Sequence, residues 1–254
     1  WKKIYNPKQT EQKERSHGDG IKIGLDSTEA LEEYFFKLIA NDSFIEDNRL
    51  LEYDVSQENY QDYLDYQSVV KNNSDTIYLA KNNNFLLRYD SIREKNKEFV
   101  TVILCRQPLY HAASLLEKHL FYSELQTEDP FVLEYMNWLG HYEFGQNQKV
   151  FEFENDSQFE NTDRTSLNYW LEVWMNYYKR VVQIEDENTI VITYEQFCSN
   201  PNTVIGNLLS RMNLSESPIN LEVHNNTREV QLDYSEKLLT EAESIYQEID
   251  SKAL

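Results

Sequence analysis

One stretch constrains this chain more than any other. Phe99-Val100-Thr101-Val102-Ile103-Leu104 runs into Cys105-Arg106-Gln107-Pro108, and Ala113-Ser114 follows shortly after. The apolar run is β-branched and does not alternate, which predicts a parallel strand buried on both faces. Pro108 suits the first turn of a helix, where a missing N–H costs nothing. The stretch therefore reads as strand, tight turn and helix. Arg106 stands at the carboxyl end of a central strand, and Ser114 lies on the helix behind it. Open α/β sheets bind ligands at that edge. A guanidinium presents a planar fork to oxyanions, so an arginine and a hydroxyl converging there point to a phosphate.

The rest of the chain alternates strand and helix, which predicts a helix-rich α/β fold with a parallel sheet flanked by helices. Residues 1–24 are polar, hold three of the six glycines (Gly18, Gly20 and Gly24) and read as loop. Asp26 and Glu29 form a capping-box pair, opening a helix on which Leu31, Tyr34, Phe35, Leu38 and Ile39 share a face. Helices are predicted over 58–70 and 85–94, with a strand over 76–80 between them that ends at Lys81-Asn82-Asn83-Asn84. The helix opened by Pro108 runs to about residue 122, and another covers 131–139. Residues 146–163, rich in Asn, Asp and Gln, read as loop. A helix over 167–183 carries Trp170, Trp174 and Tyr177 near one face, a packing signature rather than a substrate cage. A strand over 189–193 ends at Tyr194-Glu195. Helices over 202–212 and 235–249 flank an irregular stretch. No internal repeat appears, so residues 1–254 read as one domain.

Charge narrows the partners. The net charge is −20 over 254 residues, which disfavours nucleic acid and anionic membrane surfaces. A phosphate site must then be a local basic pocket in an acidic surface. No apolar run reaches bilayer length and no leader is visible, which suggests a cytoplasmic protein. The two cysteines, Cys105 and Cys198, read as small core residues of a reducing compartment. The five histidines show no metal-ligand spacing with cysteines or acids, and no Gly-x-Ser-x-Gly elbow occurs.

Several segments, in order, resemble the sulfotransferases that use 3′-phosphoadenosine 5′-phosphosulfate (PAPS). They are Tyr78-Leu79-Ala80-Lys81-Asn82-Asn83, then Arg106 through Ser114, then Tyr135-Met136-Asn137-Trp138-Leu139-Gly140-His141-Tyr142-Glu143-Phe144-Gly145. Tyr169-Trp170-Leu171 and Ile190-Val191-Ile192-Thr193-Tyr194-Glu195-Gln196-Phe197, with Asn200-Pro201, follow, and Ile245-Tyr246 closes the set. The resemblance implies a P-loop-like fold, PAPS as co-substrate, no metal, and a small-molecule or glycan acceptor. It assigns the donor's 3′-phosphate to Arg106 and Ser114 and the sulfuryl or bridging oxygens to Lys81. The family also opens with a glycine-rich loop that cradles the 5′-phosphosulfate. No such run occurs here. Gly18-Asp19-Gly20 is no substitute, because its acid would repel the phosphosulfate. The expectation is that this loop and its strand lie upstream of Trp1.

Sulfuryl transfer needs an in-line donor, neutralised charge on the bridging oxygen, and a base for the acceptor's proton. Cytosolic members of the family carry a histidine two residues after the lysine. Here that position is Asn83, which accepts no proton at neutral pH. His17 and Asp19, in a glycine-flanked loop, are the first candidates for the base, with a surface loop as their plainer reading. His141 and Glu143 are the second pair, and their plainer reading is helix-end capping. Tyr194 is a candidate for adenine, and Arg228 for a further contact to the 3′-phosphate. A domain that keeps the fold but only binds a partner or ligand is the rival reading.

Overall fold

The computed structural model describes residues 31–71, 73, 76–153, 159–214, 223 and 229–254, and the strand residues 13–14 and 22–23. His17, Asp19 and Arg228, and the Asp26–Glu29 pair, lie outside the described residues.

The chain is helix-rich α/β, with small parallel sheets flanked by helices. Within the stretch read as loop, β1 (Lys13–Glu14) pairs antiparallel with β2 (Lys22–Ile23). Helix α1 (Glu32–Ala40) follows, with Leu31 at its N-cap and no side-chain cap. Next come β3 (Arg49–Leu51), α2 (Gln57–Val70), a 3₁₀ turn (Phe85–Arg88) and α3 (Tyr89–Lys95). The predicted strand and helix around Arg106 are β4 (Thr101–Cys105) and α4 (Pro108–Glu128). Then follow α5 (Pro130–Leu139), β5 (Val150–Glu152) and α6 (Leu167–Val182). The chain continues through β6 (Thr189–Thr193), α7 (Tyr194–Ser199), α8 (Pro201–Arg211) and α9 (Glu236–Lys252).

Local chemistry explains most boundaries. Ser56, Ser166 and Ser235 cap α2, α6 and α9 by accepting a backbone N–H from Asn59, Asn168 and Leu238, satisfying donors that a helix start leaves open. Asp129 does the same for α5 with Pro130 in the first turn. The inner faces of α4, α6 and α9 meet at Ala112, Leu116, Trp170, Leu171, Trp174, Tyr178 and Ala242, all buried, with Ile103 and Cys105 of β4. Trp170 and Trp174 are therefore core, as their spacing predicts, while Tyr177 is only partly buried beside them.

Four expectations fail for identifiable reasons. Residues 76–80 form no strand, and Ile77 and Leu79 stand in solvent at 62% and 86% exposure. Among the described residues no strand lies beside them to complete a ladder, and Tyr78 instead donates its hydroxyl to Glu32, 2.7 Å away. Strand β4 is not buried on both faces: Val102 and Leu104 are exposed, and among the described residues it pairs with β6 alone. The buried side of α1 is Glu32, Glu33 and Phe36, while Leu31, Tyr34 and Leu38 face outward. A polar cluster with Arg88 captures the two carboxylates and turns the helix. Finally, β5 interrupts the predicted 146–163 loop: it pairs in parallel with β3, and Leu50, Phe151 and Phe153 around this ladder pack into the core.

Among the described residues no helix is long and apolar enough to cross a membrane. Both cysteines are free, Cys105 buried and Cys198 half-buried.

Candidate functional site

The parallel register builds the site. Strands β4 and β6 run Thr101↔Thr189 through Cys105↔Thr193. The next residue off each strand is therefore Arg106 on one side and Tyr194 on the other. They leave the sheet side by side and turn into α4 and α7. The Arg106 guanidinium carbon lies 4.6 Å from the Tyr194 ring centroid and 6.0 Å from that of Tyr110. These are cation–π distances, so the fork is held between aromatic groups from two elements. Ser114 is half-buried one helical turn after Tyr110, on the same side of α4.

A carboxylate staples the two strand ends. Glu195 accepts the Gln107 backbone N–H at 3.1 Å and the Tyr246 hydroxyl of α9 at 2.8 Å. Gln107 is the N-cap of α4 and has no side-chain cap of its own, so Glu195 supplies both the acceptor and a negative charge near the helix start. Tyr246 responds as expected: burial and Glu195 push its hydroxyl well above the ordinary phenol range. Asp250 of α9 adds a second link, accepting from Thr193 Oγ1 and Gln196 Nε2.

Below Arg106 the surroundings are apolar. His111 is pushed down to about 4 by burial and by the Arg106 charge, so its imidazole is neutral at physiological pH. Its Nδ1 is buried without a hydrogen-bond partner among the described residues. The Cys105 thiol is pushed up to about 12 by burial and Glu195, which makes it inert. Beside it, Tyr178 donates to the Leu104 carbonyl at 2.7 Å.

Lys81 is exposed on the irregular segment before the 3₁₀ turn. The three asparagines after it are structural. Asn82 Nδ2 donates to Glu32 and Glu33 at 3.0 and 3.1 Å, Asn83 Nδ2 to Glu143 at 2.6 Å, and Asn84 Nδ2 to the Gly140 carbonyl at 3.1 Å. His141 Nδ1 lies 3.4 Å from the same Glu143 oxygen, so the second base pair does come together in space.

Sequence reasoning gave no role to Tyr110, His111 or the Glu195 staple. The first two were findable, since Tyr110 and His111 precede Ser114 by four and three residues on one helix. The staple was not, because it joins residues 88 positions apart.

Compared with protein-family models, curated proteins and solved structures, the chain matches none of them.

Proposed function

We propose that this chain is a sulfotransferase domain that moves a sulfuryl group from PAPS to a hydroxyl or amine of a small-molecule or glycan acceptor. Arg106 and Ser114 take the donor's 3′-phosphate, and the acceptor enters from the side of α5. The observation that carries the reading is the Arg106 fork, held by Tyr194 and Tyr110 at the carboxyl end of a parallel pair, with Ser114 one turn along α4. Tyr194 then orients the guanidinium rather than stacking on adenine. Burial and the Arg106 charge hold His111 neutral behind it. The buried thiol of Cys105 fits a reducing, cytoplasmic setting.

The test is a titration with adenosine 3′,5′-bisphosphate. Losing one charge-assisted contact is worth roughly 1.5–3 kcal/mol, so Arg106→Ala should weaken binding about ten- to hundredfold. Absence of binding by the wild-type chain at millimolar nucleotide, or unchanged binding in the variant, overturns the proposal.

One observation favours the second reading, a domain that binds nucleotide or partner without transfer. Lys81 stands exposed on an irregular segment, and its neighbours are tied to Glu32, Glu33 and Glu143 rather than to the strand-end group. Cleavage of PAPS separates the two: a binder leaves the donor intact.

A further inference from the structure

We propose that the outer face of α5 docks a basic amphipathic helix of a partner protein; this is independent of the sulfuryl-transfer reading above.

Helix α5 is fixed at both ends. Asp129 Oδ1 accepts the Phe131 N–H at 3.1 Å, Pro130 fills the first turn, and Gly140 closes the helix at φ +78°, a left-handed cap that glycine adopts without strain. Between these ends one side is fastened to the rest of the molecule. Leu139 is buried. Met136 Sδ accepts from Gln126 Nε2 of α4 at 3.2 Å, and Asn137 Oδ1 accepts from Asn147 Nδ2 at 2.8 Å. Lys37 of α1 donates its ammonium to the Asn137 carbonyl and, at 3.2 Å, to the Tyr142 hydroxyl.

The opposite side carries Phe131, Glu134, Tyr135 and Trp138, all exposed. At i, i+3, i+4 and i+7 they share one helical face. Phe131 is 55% exposed, Tyr135 37% and Trp138 51%. Side chains of this size ordinarily sit in a core or an interface. The Phe131 ring stacks on that of Tyr135, with centroids 5.9 Å apart, and meets that of Trp138 edge to face at 6.2 Å. Rings that support one another have little freedom left to lose on binding. At about 200 Å² per aromatic side chain, the three expose roughly 300 Å², a scale of apolar patch that is often functional.

Charge selects the occupant. From residue 119 to residue 148 the chain holds Glu124, Glu128, Asp129, Glu134 and Glu143 and no lysine or arginine. Glu134 lies within the aromatic stripe rather than beyond it. A purely apolar cover would bury that carboxylate without a cation, at a steep desolvation cost. A second copy of this chain would bring another Glu134 and another net charge of −20 against the first. A basic helix meets both demands. Its lysines or arginines pair with Glu134 and lie over ring faces, which attract cations, while its apolar residues cover Phe131 and Trp138. The spacing of the stripe is the seam into which a second helix packs, ridge into groove. The ten residues of α5 offer about 15 Å of contact, so the complex is small and transient.

The experiment is calorimetric titration of the full chain with a synthetic helix of two Leu-Lys-Lys-Leu-Leu-Lys-Leu repeats. A peptide of the same composition, reordered so that no apolar face forms, controls for plain attraction to an acidic protein. A glutamate-for-lysine version controls for the apolar face alone. The ordered basic peptide should bind in the micromolar range, at least about tenfold tighter than either control. Phe131→Ala and Trp138→Ala should each weaken it about tenfold, the scale of an interface hot spot. Glu134→Lys should do the same. Glu243→Lys makes an equal charge change on the exposed side of α9 and should stay within about twofold, because salt screens a distant charge. All four positions are exposed, so far-ultraviolet circular dichroism should not change. No binding of the ordered peptide at millimolar concentration, equal binding of either control, or affinity unchanged in Trp138→Ala and Glu134→Lys overturns the proposal. A dimer in sedimentation velocity that Trp138→Ala dissolves assigns the face to a second copy and overturns it. Adsorption to phosphatidylcholine vesicles that Trp138→Ala abolishes assigns it to a lipid surface and overturns it likewise.

Discussion

Arg88 and Arg106 both meet aromatic rings and differ in their surroundings. Arg88 is buried against α1. Its guanidinium pairs with Glu33, bonds the Tyr53 hydroxyl, and lies 3.9 Å from the Phe36 ring centroid. Around it Glu32 accepts from Tyr63, Tyr78 and Asn82 at 2.8, 2.7 and 3.0 Å. Arg88, Glu32 and Glu33 are all buried. Arg106 is only half-buried, at a sheet edge, with aromatic faces beside it and a neutral histidine behind. A closed ionic cluster serves stability or register, because a buried charge without its partner is intolerable. An aromatic cradle at a sheet edge holds its cation by cation–π attraction rather than inside a buried ionic cluster.

The largest expected effect tests the closed side. Arg88→Leu strands Glu33 in the interior and should cost about 3–5 kcal/mol, the usual penalty for breaking a buried pair from one side, read from urea unfolding. The same change at Arg106 should cost no more than about 1 kcal/mol while weakening bisphosphate binding about ten- to hundredfold. Equal losses at the two positions would erase the contrast.

Acid comes next. His111 titrates lower when folded, about 4, than its ordinary 6.5. The folded state therefore favours the neutral ring, and this contribution is full above about pH 6.5 and lost as pH falls through about 4. A shift of that size corresponds to at most roughly 3 kcal/mol. Arg106→Leu removes one of its two causes, so the acid loss should shrink in that variant, as pH-dependent thermal melts would record.

Gly140→Ala should cost about 1–3 kcal/mol, the scale for a side chain forced into the left-handed region, and should loosen the Asn84 contact that holds the 82–84 run. Hydrogen exchange at Asn84 and Gly140 reads this directly, and unchanged exchange would separate the turn from the asparagines. The smallest effect belongs to Ser114→Ala. Stability should stay within about 0.5 kcal/mol, and bisphosphate affinity should fall severalfold, consistent with one neutral hydrogen bond of about 1 kcal/mol.

The helices and two of the strands were legible because their signals are local. Serine caps, a proline at a helix start and apolar spacing act over a few residues, so α2, α5, α6, β6 and α9 fall close to where the pattern puts them. Residues 76–80 misled for the complementary reason: a strand requires a neighbour, and local β propensity does not supply one. Helix α1 misled because Leu31, Tyr34 and Leu38 outline an apolar face on paper, yet the partners available to Glu32 and Glu33 face the other way.

Within the candidate site the same division holds. By itself the sequence determined that an arginine leaves a parallel strand just before a proline-started helix, and that a serine follows on that helix, since both facts depend on neighbouring residues. Only the tertiary structure decided that Tyr194 lies against that arginine, that Glu195 joins the two strand ends to α9, and that Asn83, Glu143 and His141 converge. Those contacts come from ladder register and chain reversal, which bring together residues far apart along the chain.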